Sequence, residues 1–224
     1  MGLRQFRAMV RKDLVLEMRT RETLAAMFLF VVLAMVVFHY AFTSGPGAAA
    51  LATGGMLWVV FVFAALLGLG RSFAHERDGG CLDGLLLCPV DRVTIFLAKT
   101  TANLVFLGAI QVLAVPVFAL FFAPGRLVAH LPGLLLLIAL CDVGISALGT
   151  LLATIAMHTR ARDLILPIVF LPLAIPLLIA AATGTSGLLT AGGPPLLGRL
   201  AFLLVYDGVF LVLAYGTYDV AIGE

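Results

Sequence analysis

Residues 71–99 read RSFAHERDGGCLDGLLLCPVDRVTIFLAK and form a charged segment between two long apolar runs. Gly79 and Gly80 predict a break in any helix that enters this segment, because each glycine costs roughly 1 kcal/mol in a helix interior. Three leucines then follow at helical spacing, at Leu82, Leu85 and Leu86. Pro89 ends this turn, and the side chain of Asp91 can cap the next helix. We therefore expect a short amphipathic helix on the membrane surface. It lies in a loop that begins and ends on the same side of the membrane.

The charged residues of this loop allow two interpretations. In the first, a soluble partner protein binds the loop, which then acts as a coupling helix. In the second, the loop is an ordinary solvated connection, since charged runs usually face water. On the first interpretation, eight residues are candidates for coupling and partner docking: Glu76, Arg77, Gly80, Leu82, Asp83, Leu85, Leu86 and Pro89.

Composition indicates a membrane protein. Of the 224 residues, 62% are apolar and 12% are charged, whereas soluble domains carry about 25% charged residues. A helix needs about 20 apolar residues to cross the hydrocarbon core, so the chain has room for six spans and no large soluble domain. The net charge of +2 gives no indication of nucleic-acid binding.

The apolar runs predict an all-α fold with six transmembrane helices in a single membrane domain. The approximate spans are 24–42, 48–69, 94–123, 131–157, 164–183 and 196–218, with the coupling loop at 71–93. Pro116 predicts a kink or a strong tilt in the third span. Residues 184–195 are uncharged and rich in glycine and proline, which indicates a loop before the last span.

Residues 1–23 predict an interfacial helix that precedes the first span. Apolar residues repeat along one face, at Leu3, Phe6, Val10 and Leu14. Basic residues lie largely on the other face, at Arg4, Arg7, Arg11 and Lys12. A basic amphipathic helix of this kind lies along a membrane surface.

Basic residues are divided unevenly between the two sides of this topology. Six precede the first span, four lie within residues 71–99, and two more are Arg160 and Arg162. The opposite side holds only Arg126 and Arg199. The positive-inside rule therefore predicts that both termini are cytoplasmic.

Sequence motifs of catalysis and of metal or nucleotide binding are missing. Ala98-Lys99-Thr100 resembles the end of a phosphate-binding loop but lacks the glycines whose backbone amides would hold phosphates. The three cysteines and the isolated histidines give no metal-ligand spacing. The chain is therefore predicted not to be an enzyme and to hold no metal or cofactor, and any ATP that drives it binds to another chain.

Two carboxylates interrupt the apolar spans, Asp142 near the middle of the fourth and Asp207 near the middle of the sixth. A charge at the bilayer centre costs roughly 2.5–3.5 kcal/mol on insertion scales, so each is expected to be neutral, to face the bundle or to be paired. Either they line a path for substrate or protons, or they make structural hydrogen bonds between helices.

Three prolines interrupt the fifth span, at Pro167, Pro172 and Pro176. Each removes a backbone donor from the helix, and neighbouring helices or water must satisfy the freed groups. Pro172 and Pro176 share one face. The pattern indicates a shaped helix beside a pathway or a dimer seam, or a simple packing kink.

Two stretches resemble a known family. The pattern E-R-x-x-G-x-L-D-x-L-L-L-x-P-V-x-R-x-x-I-x-L-A-K, from Glu76 to Lys99, resembles the coupling-helix region of ABC-2-type exporter permeases. The stretch TRARDLILPIVFLPLAIPLLIAAA, from Thr159 to Ala182, is similar to the fifth span of the haem exporter protein B (CcmB) family. The tail from Tyr206 to Glu224 also resembles one version of that family's end.

The resemblance implies a permease of the bacterial inner membrane that handles haem in cytochrome c maturation, with haem as a candidate substrate. It implies an ABC ATPase subunit that binds ATP, a Trp-rich haem-handling membrane subunit, a small single-span subunit and a haem chaperone as partners. It also implies a homodimer within the complex and an elbow helix at the N-terminus. The alternative is an ABC-2-type exporter permease for another hydrophobic substrate, such as a drug, a lipid or a glycan.

Overall fold

The chain is helical throughout the part that the computed structural model describes, which is residues 2–42, 48–78, 91–122, 129–157, 162–189 and 196–223. The helices in these ranges are α1 (Gly2–Thr20), α2 (Glu22–Phe42), α3 (Ala48–Asp78), α4 (Arg92–Phe122), α5 (Leu131–Met157), α6 (Arg162–Leu189) and α7 (Leu196–Gly223). The six helices from α2 to α7 are long and apolar enough to cross a membrane. The predicted all-α fold with six spans is thus confirmed.

Helix α5 lies at the centre of the bundle. It packs against α3, α4, α6 and α7, and most of its residues are buried. Helices α2 and α7, by contrast, bury few of their residues. The fourth span is therefore the central helix, which contacts four of the other spans.

The second and fifth spans, α3 and α6, approach each other closely at Gly54. A Cβ atom added at Gly54 would lie 2.5 Å from Oγ of Ser186 and 2.6 Å from the carbonyl oxygen of Ala182. One turn further along α3, Nε1 of Trp58 donates a hydrogen bond of 2.9 Å to Oγ1 of Thr185. Small residues at helix crossings let backbones approach in this way.

The chain turns sharply between α1 and α2. Arg21 has a φ of 56°, in the left-handed region that non-glycine residues seldom adopt. The Glu17 side chain stabilises the turn, because its Oε1 accepts a hydrogen bond of 3.0 Å from the backbone N–H of Leu24. Helix α1 is therefore separate from the first span, and its place on the membrane surface stays a prediction.

Two predicted boundaries differ from the structure. The coupling loop was expected to begin at residue 71, but α3 remains helical to Asp78, because Gly79 and Gly80 are the first helix-breaking residues in this segment. The fifth span was expected to end at residue 183, but α6 continues to Leu189. Gly184 is a packing glycine rather than a loop glycine, since a Cβ there would lie 3.1 Å from Cδ1 of Leu137.

Candidate functional site

The predicted coupling segment falls largely outside the described residues. Six of its candidate residues lie there: Gly80, Leu82, Asp83, Leu85, Leu86 and Pro89. The other two, Glu76 and Arg77, belong to the end of α3. The role of these eight residues in partner docking therefore stays a prediction.

The structure does show how this segment is attached to the bundle. The apolar part of α3 runs from Thr53 to Gly70, and the helix then continues to Asp78. At 1.5 Å per residue this extension is ~12 Å long. The chain returns at Asp91, whose carbonyl oxygen accepts hydrogen bonds from the N–H groups of Thr94 and Ile95. The coupling segment thus connects a helical extension of the second span to the start of the third.

Asp142 is paired in the interior of the bundle. Nε2 of Gln111 on α4 donates a hydrogen bond of 2.7 Å to its Oδ1, and both side chains are buried. The sequence interpretation identified Asp142 but missed Gln111. The signal that could have found it is an amide side chain in an otherwise apolar span, which usually needs a partner on a neighbouring helix.

A second hydrogen bond joins the same two helices. Nδ2 of Asn103 donates to Oγ1 of Thr150 over 3.0 Å, and both residues are buried. Asn103 and Gln111 are eight residues apart on α4, and Asp142 and Thr150 are eight apart on α5. The two bonds therefore lie ~12 Å apart along the helices and fix the register between the third and fourth spans.

Asp207 is buried without such a partner. It lies on α7 against Gly144 of α5, where an added Cβ would be 2.5 Å from its Oδ1. Within the described part of the chain, neither of its carboxyl oxygens has a hydrogen-bond partner. Asp142 thus lies on the central helix and Asp207 beside it, and within the described residues only Asp142 makes a hydrogen bond to another helix.

The three predicted prolines lie inside an uninterrupted α6. The side chains of Pro172 and Pro176 are exposed on the face that points away from the bundle. The hydroxyl of Tyr206 on α7 donates a hydrogen bond of 2.7 Å to the carbonyl oxygen of Leu173. A neighbouring span therefore donates to the backbone of α6 beside Pro172, whereas the carbonyl groups that Pro172 and Pro176 leave without a helical donor are those of Ile168 and Pro172.

Helix α1 is joined to the third span by an ion pair that the sequence interpretation also missed. Nζ of Lys99 lies 2.8 Å from Oδ2 of Asp13, and both side chains are buried. Asp13 directly precedes Leu14, which belongs to the predicted apolar face of residues 1–23. The signal in the sequence was a lysine inside an apolar run, since a buried charge needs a partner.

The described residues contain no group of three or more His, Cys, Asp and Glu side chains that could hold a metal ion. His39 on α2 packs against Phe121 on α4, with ring centroids 5.0 Å apart. This contact is one of aromatic packing between two span ends. The distinctive chemistry of the described bundle therefore lies in its buried amide and carboxyl groups.

The chain is similar over nearly its whole length to known proteins. The family described as "CcmB protein" matches residues 4–222. Heme exporter protein B of Rhodobacter capsulatus is 32% identical over 185 residues, which cover 79% of this chain and 80% of that protein. Heme exporter protein B of Pseudomonas aeruginosa is 32% identical over 188 residues, which cover 82% and 81%. The protein of the same name from Bradyrhizobium diazoefficiens is 25% identical over 214 residues, which cover 92% and 95%.

Proposed function

This chain belongs to the CcmB protein family, and from that premise we propose that it is the permease subunit of an ABC transporter that handles haem during cytochrome c maturation. The observation that carries the proposal is the match over residues 4–222, together with relatives named Heme exporter protein B that cover about four fifths of the chain. The chain is a multi-pass membrane protein with six helices that can span the bilayer.

ATP hydrolysis belongs to a partner subunit in this proposal. The sequence has no glycine-rich phosphate-binding loop, so a separate ABC ATPase binds ATP. Its closure moves the coupling segment at residues 79–90, and the helical extension of α3 carries that motion into the bundle. Rigid helices that shift as bodies transmit movement in this way.

The proposed complex has further members. They are a Trp-rich haem-handling membrane subunit, a small single-span subunit and the haem chaperone, with two copies of this chain at the centre. The complex lies in the bacterial inner membrane with both termini of this chain in the cytoplasm. The family resemblance supports the partners, and the distribution of basic residues supports the orientation.

Reconstitution of the purified complex tests the function. Proteoliposomes that contain this chain, the ATPase and the two other membrane subunits are supplied with haem and the chaperone, and formation of haem-loaded chaperone is measured. We expect it to require ATP and this chain. If this chain instead stimulates ATP hydrolysis only with another hydrophobic substrate and not with haem, the alternative of a general ABC-2-type exporter replaces the proposal.

Cysteine labelling tests the orientation. Single cysteines replace Ser44, Gly125 or Gly192 on the proposed outer side, and Asp78 or Arg160 on the inner side. The background variant has all three native cysteines changed to serine. An impermeant thiol reagent added outside should label only the first group. Labelling at position 78 from outside would show that the orientation is reversed.

A further inference from the structure

An apolar groove of about 700 Å³ opens between α4 and α5 on a side of the bundle that faces outward. It extends from Leu104 to Ala119 on α4 and from Leu131 to Val143 on α5. Val112 in its wall is 72% exposed. The groove is thus open laterally, where the bilayer would surround a membrane-spanning bundle, and its size is typical of small-molecule sites.

The polar part of the groove lies deep in the membrane. Asp142 and Gln111 line the groove, and Asp142 is eleven residues along α5 from Leu131. Eleven residues of helix rise ~16 Å, which is about half of the ~30 Å hydrocarbon thickness. An occupant therefore meets apolar walls over the depth of one leaflet and a polar pair near the midplane.

The pair of Gln111 and Asp142 also contains a buried hydrogen-bond acceptor. Gln111 is only 4% exposed, and its Nε2 is committed to Asp142. Its Oε1 has no hydrogen-bond partner among the residues that the structure describes. A buried acceptor without a partner is unfavourable, and a donor from a bound molecule removes that cost. Hydrocarbon chains of phospholipids fill apolar space but bring no donor.

We propose that this groove binds an amphiphile from the bilayer that has an apolar body and a terminal O–H donor, in the form of a hydroxyl or a carboxylic acid. The apolar walls hold the body, and the O–H group donates to Oε1 of Gln111. The proposal goes beyond the transport function and does not depend on it, since it rests on the groove and on the orphaned amide oxygen alone.

Photolabelling of the full chain in proteoliposomes tests this proposal. The probe is a hexadecanol with a diazirine in its chain, and the matched control is its methyl ether, which has no donor. Labelled peptides are identified by mass spectrometry. We expect the alcohol to label α4 and α5 roughly three- to tenfold more than the ether, which corresponds to one net hydrogen bond.

Two variants separate the groove from the acceptor. Gly108 lines the groove, and a Cβ added there meets no atom within 4 Å, so Gly108→Phe fills the space without a backbone clash. It should abolish labelling of α4 and α5. Gly198→Phe on α7, where a Cβ is equally unobstructed, should not. Gln111→Met keeps the length of the side chain and removes the acceptor, so the preference for alcohol over ether should disappear.

Three results would overturn the proposal. The first is equal labelling of the wild-type chain by the alcohol and the ether. The second is unchanged labelling in Gly108→Phe. This result can be read even if Gln111→Met does not fold. The third is an absence of groove labelling together with disulfide formation between two copies of a Val112→Cys variant, which would show that a second copy of this chain covers the groove.

Discussion

Lys99 and Asp13 form an ion pair of 2.8 Å between the third span and the interfacial helix α1. The pair is surrounded by apolar contacts, since Met9 of α1 packs with the cluster that contains Ile95 and Phe96 of α4. Helix α1 is therefore docked on α4 by both apolar packing and a buried charge pair. A movement of the third span would carry α1 with it.

The first prediction concerns this pair. Asp13→Leu removes the carboxylate that pairs with the buried Lys99, and Lys99→Met leaves Asp13 with only the exposed Lys12 nearby among the described residues, so each should destabilise the protein by up to about 3–5 kcal/mol. The double variant removes both charges and should recover much of that loss. Unfolding in detergent, followed by fluorescence of the single tryptophan, measures all three. Lys12→Met is the control, because Lys12 is 42% exposed and also lies near Asp13, and surface pairs contribute under about 1 kcal/mol. If the loss of unfolding free energy in the double variant equals the sum of the two single losses, Lys99 and Asp13 are not energetically coupled.

The second prediction compares two adjacent glycines in α3. Gly54→Ala places a methyl group against the carbonyl oxygen of Ala182, which cannot move away, so α3 and α6 must separate. We expect a loss of about 1–3 kcal/mol in unfolding free energy. Gly55→Ala meets no atom within 4 Å and should stabilise the helix by about 0.5–1 kcal/mol. Trp58 lies next to this contact and reports both transitions. Equal changes in unfolding free energy for Gly54→Ala and Gly55→Ala would contradict the close approach of α3 and α6 at Gly54.

The number and order of the spans were predictable because long apolar runs leave the chain no other stable arrangement in a bilayer. The end of the fifth span was not, because Gly184 has the same appearance in sequence whether it breaks a helix or lets Leu137 pack against it. Only the neighbouring helix distinguishes these two uses of glycine, and a single sequence does not show which helices are neighbours.

The intramembrane site was predictable in part for a similar reason. Asp142 and Asp207 stood out because carboxylates in apolar spans are rare. Their different surroundings depend on helix packing, which brings Gln111 to Asp142 and Gly144 to Asp207. Gln111 and Lys99 carried the same kind of signal, a polar side chain in the apolar third span, but their partners lie on other helices and are set only by helix packing.

The third prediction uses this difference between the two carboxylates. Leucine is close in shape to aspartate. Asp142→Leu leaves the amide of Gln111 without its acceptor, so it should cost about 1–3 kcal/mol. Asp207→Leu breaks no hydrogen bond within the described residues and should leave the stability unchanged or higher. Thermal unfolding of the purified variants measures both. A strong loss in Asp207→Leu would reveal a partner for that carboxyl outside the described residues.

Asp207 should nevertheless matter for activity. A buried carboxyl that makes no hydrogen bond within the described residues is the kind of intramembrane group that marks a functional position. The fourth prediction is that Asp207→Asn folds as stably as the wild type but lowers ATP-dependent formation of haem-loaded chaperone. Retention of full activity in the Asn variant would show that no ionisable group is needed there.

In the proposed function, residues 79–90 form the link between ATP hydrolysis by the partner subunit and the bundle. It follows the ~12 Å extension of α3 beyond Gly70, and α3 packs against α2 and α6. A force on residues 79–90 therefore reaches several spans through one continuous helix. The helix transmits this force only if residues 79–90 are held firmly in an interface. The apolar face of Leu82, Leu85 and Leu86 would provide that interface.

The last prediction is that Leu85→Asp combined with Leu86→Asp uncouples the partner. Each buried leucine contributes roughly 1.5–3 kcal/mol relative to exposure, so loss of two can abolish a modest interface. The spans are untouched, and we expect normal membrane insertion, whereas the ATPase subunit should no longer co-purify and cytochrome c maturation should fail. Replacement of Arg126 and His130 by alanine, on the opposite side, should leave docking intact. If the double aspartate variant binds the ATPase normally and supports maturation, residues 79–90 are only a connection, and force must enter the bundle elsewhere.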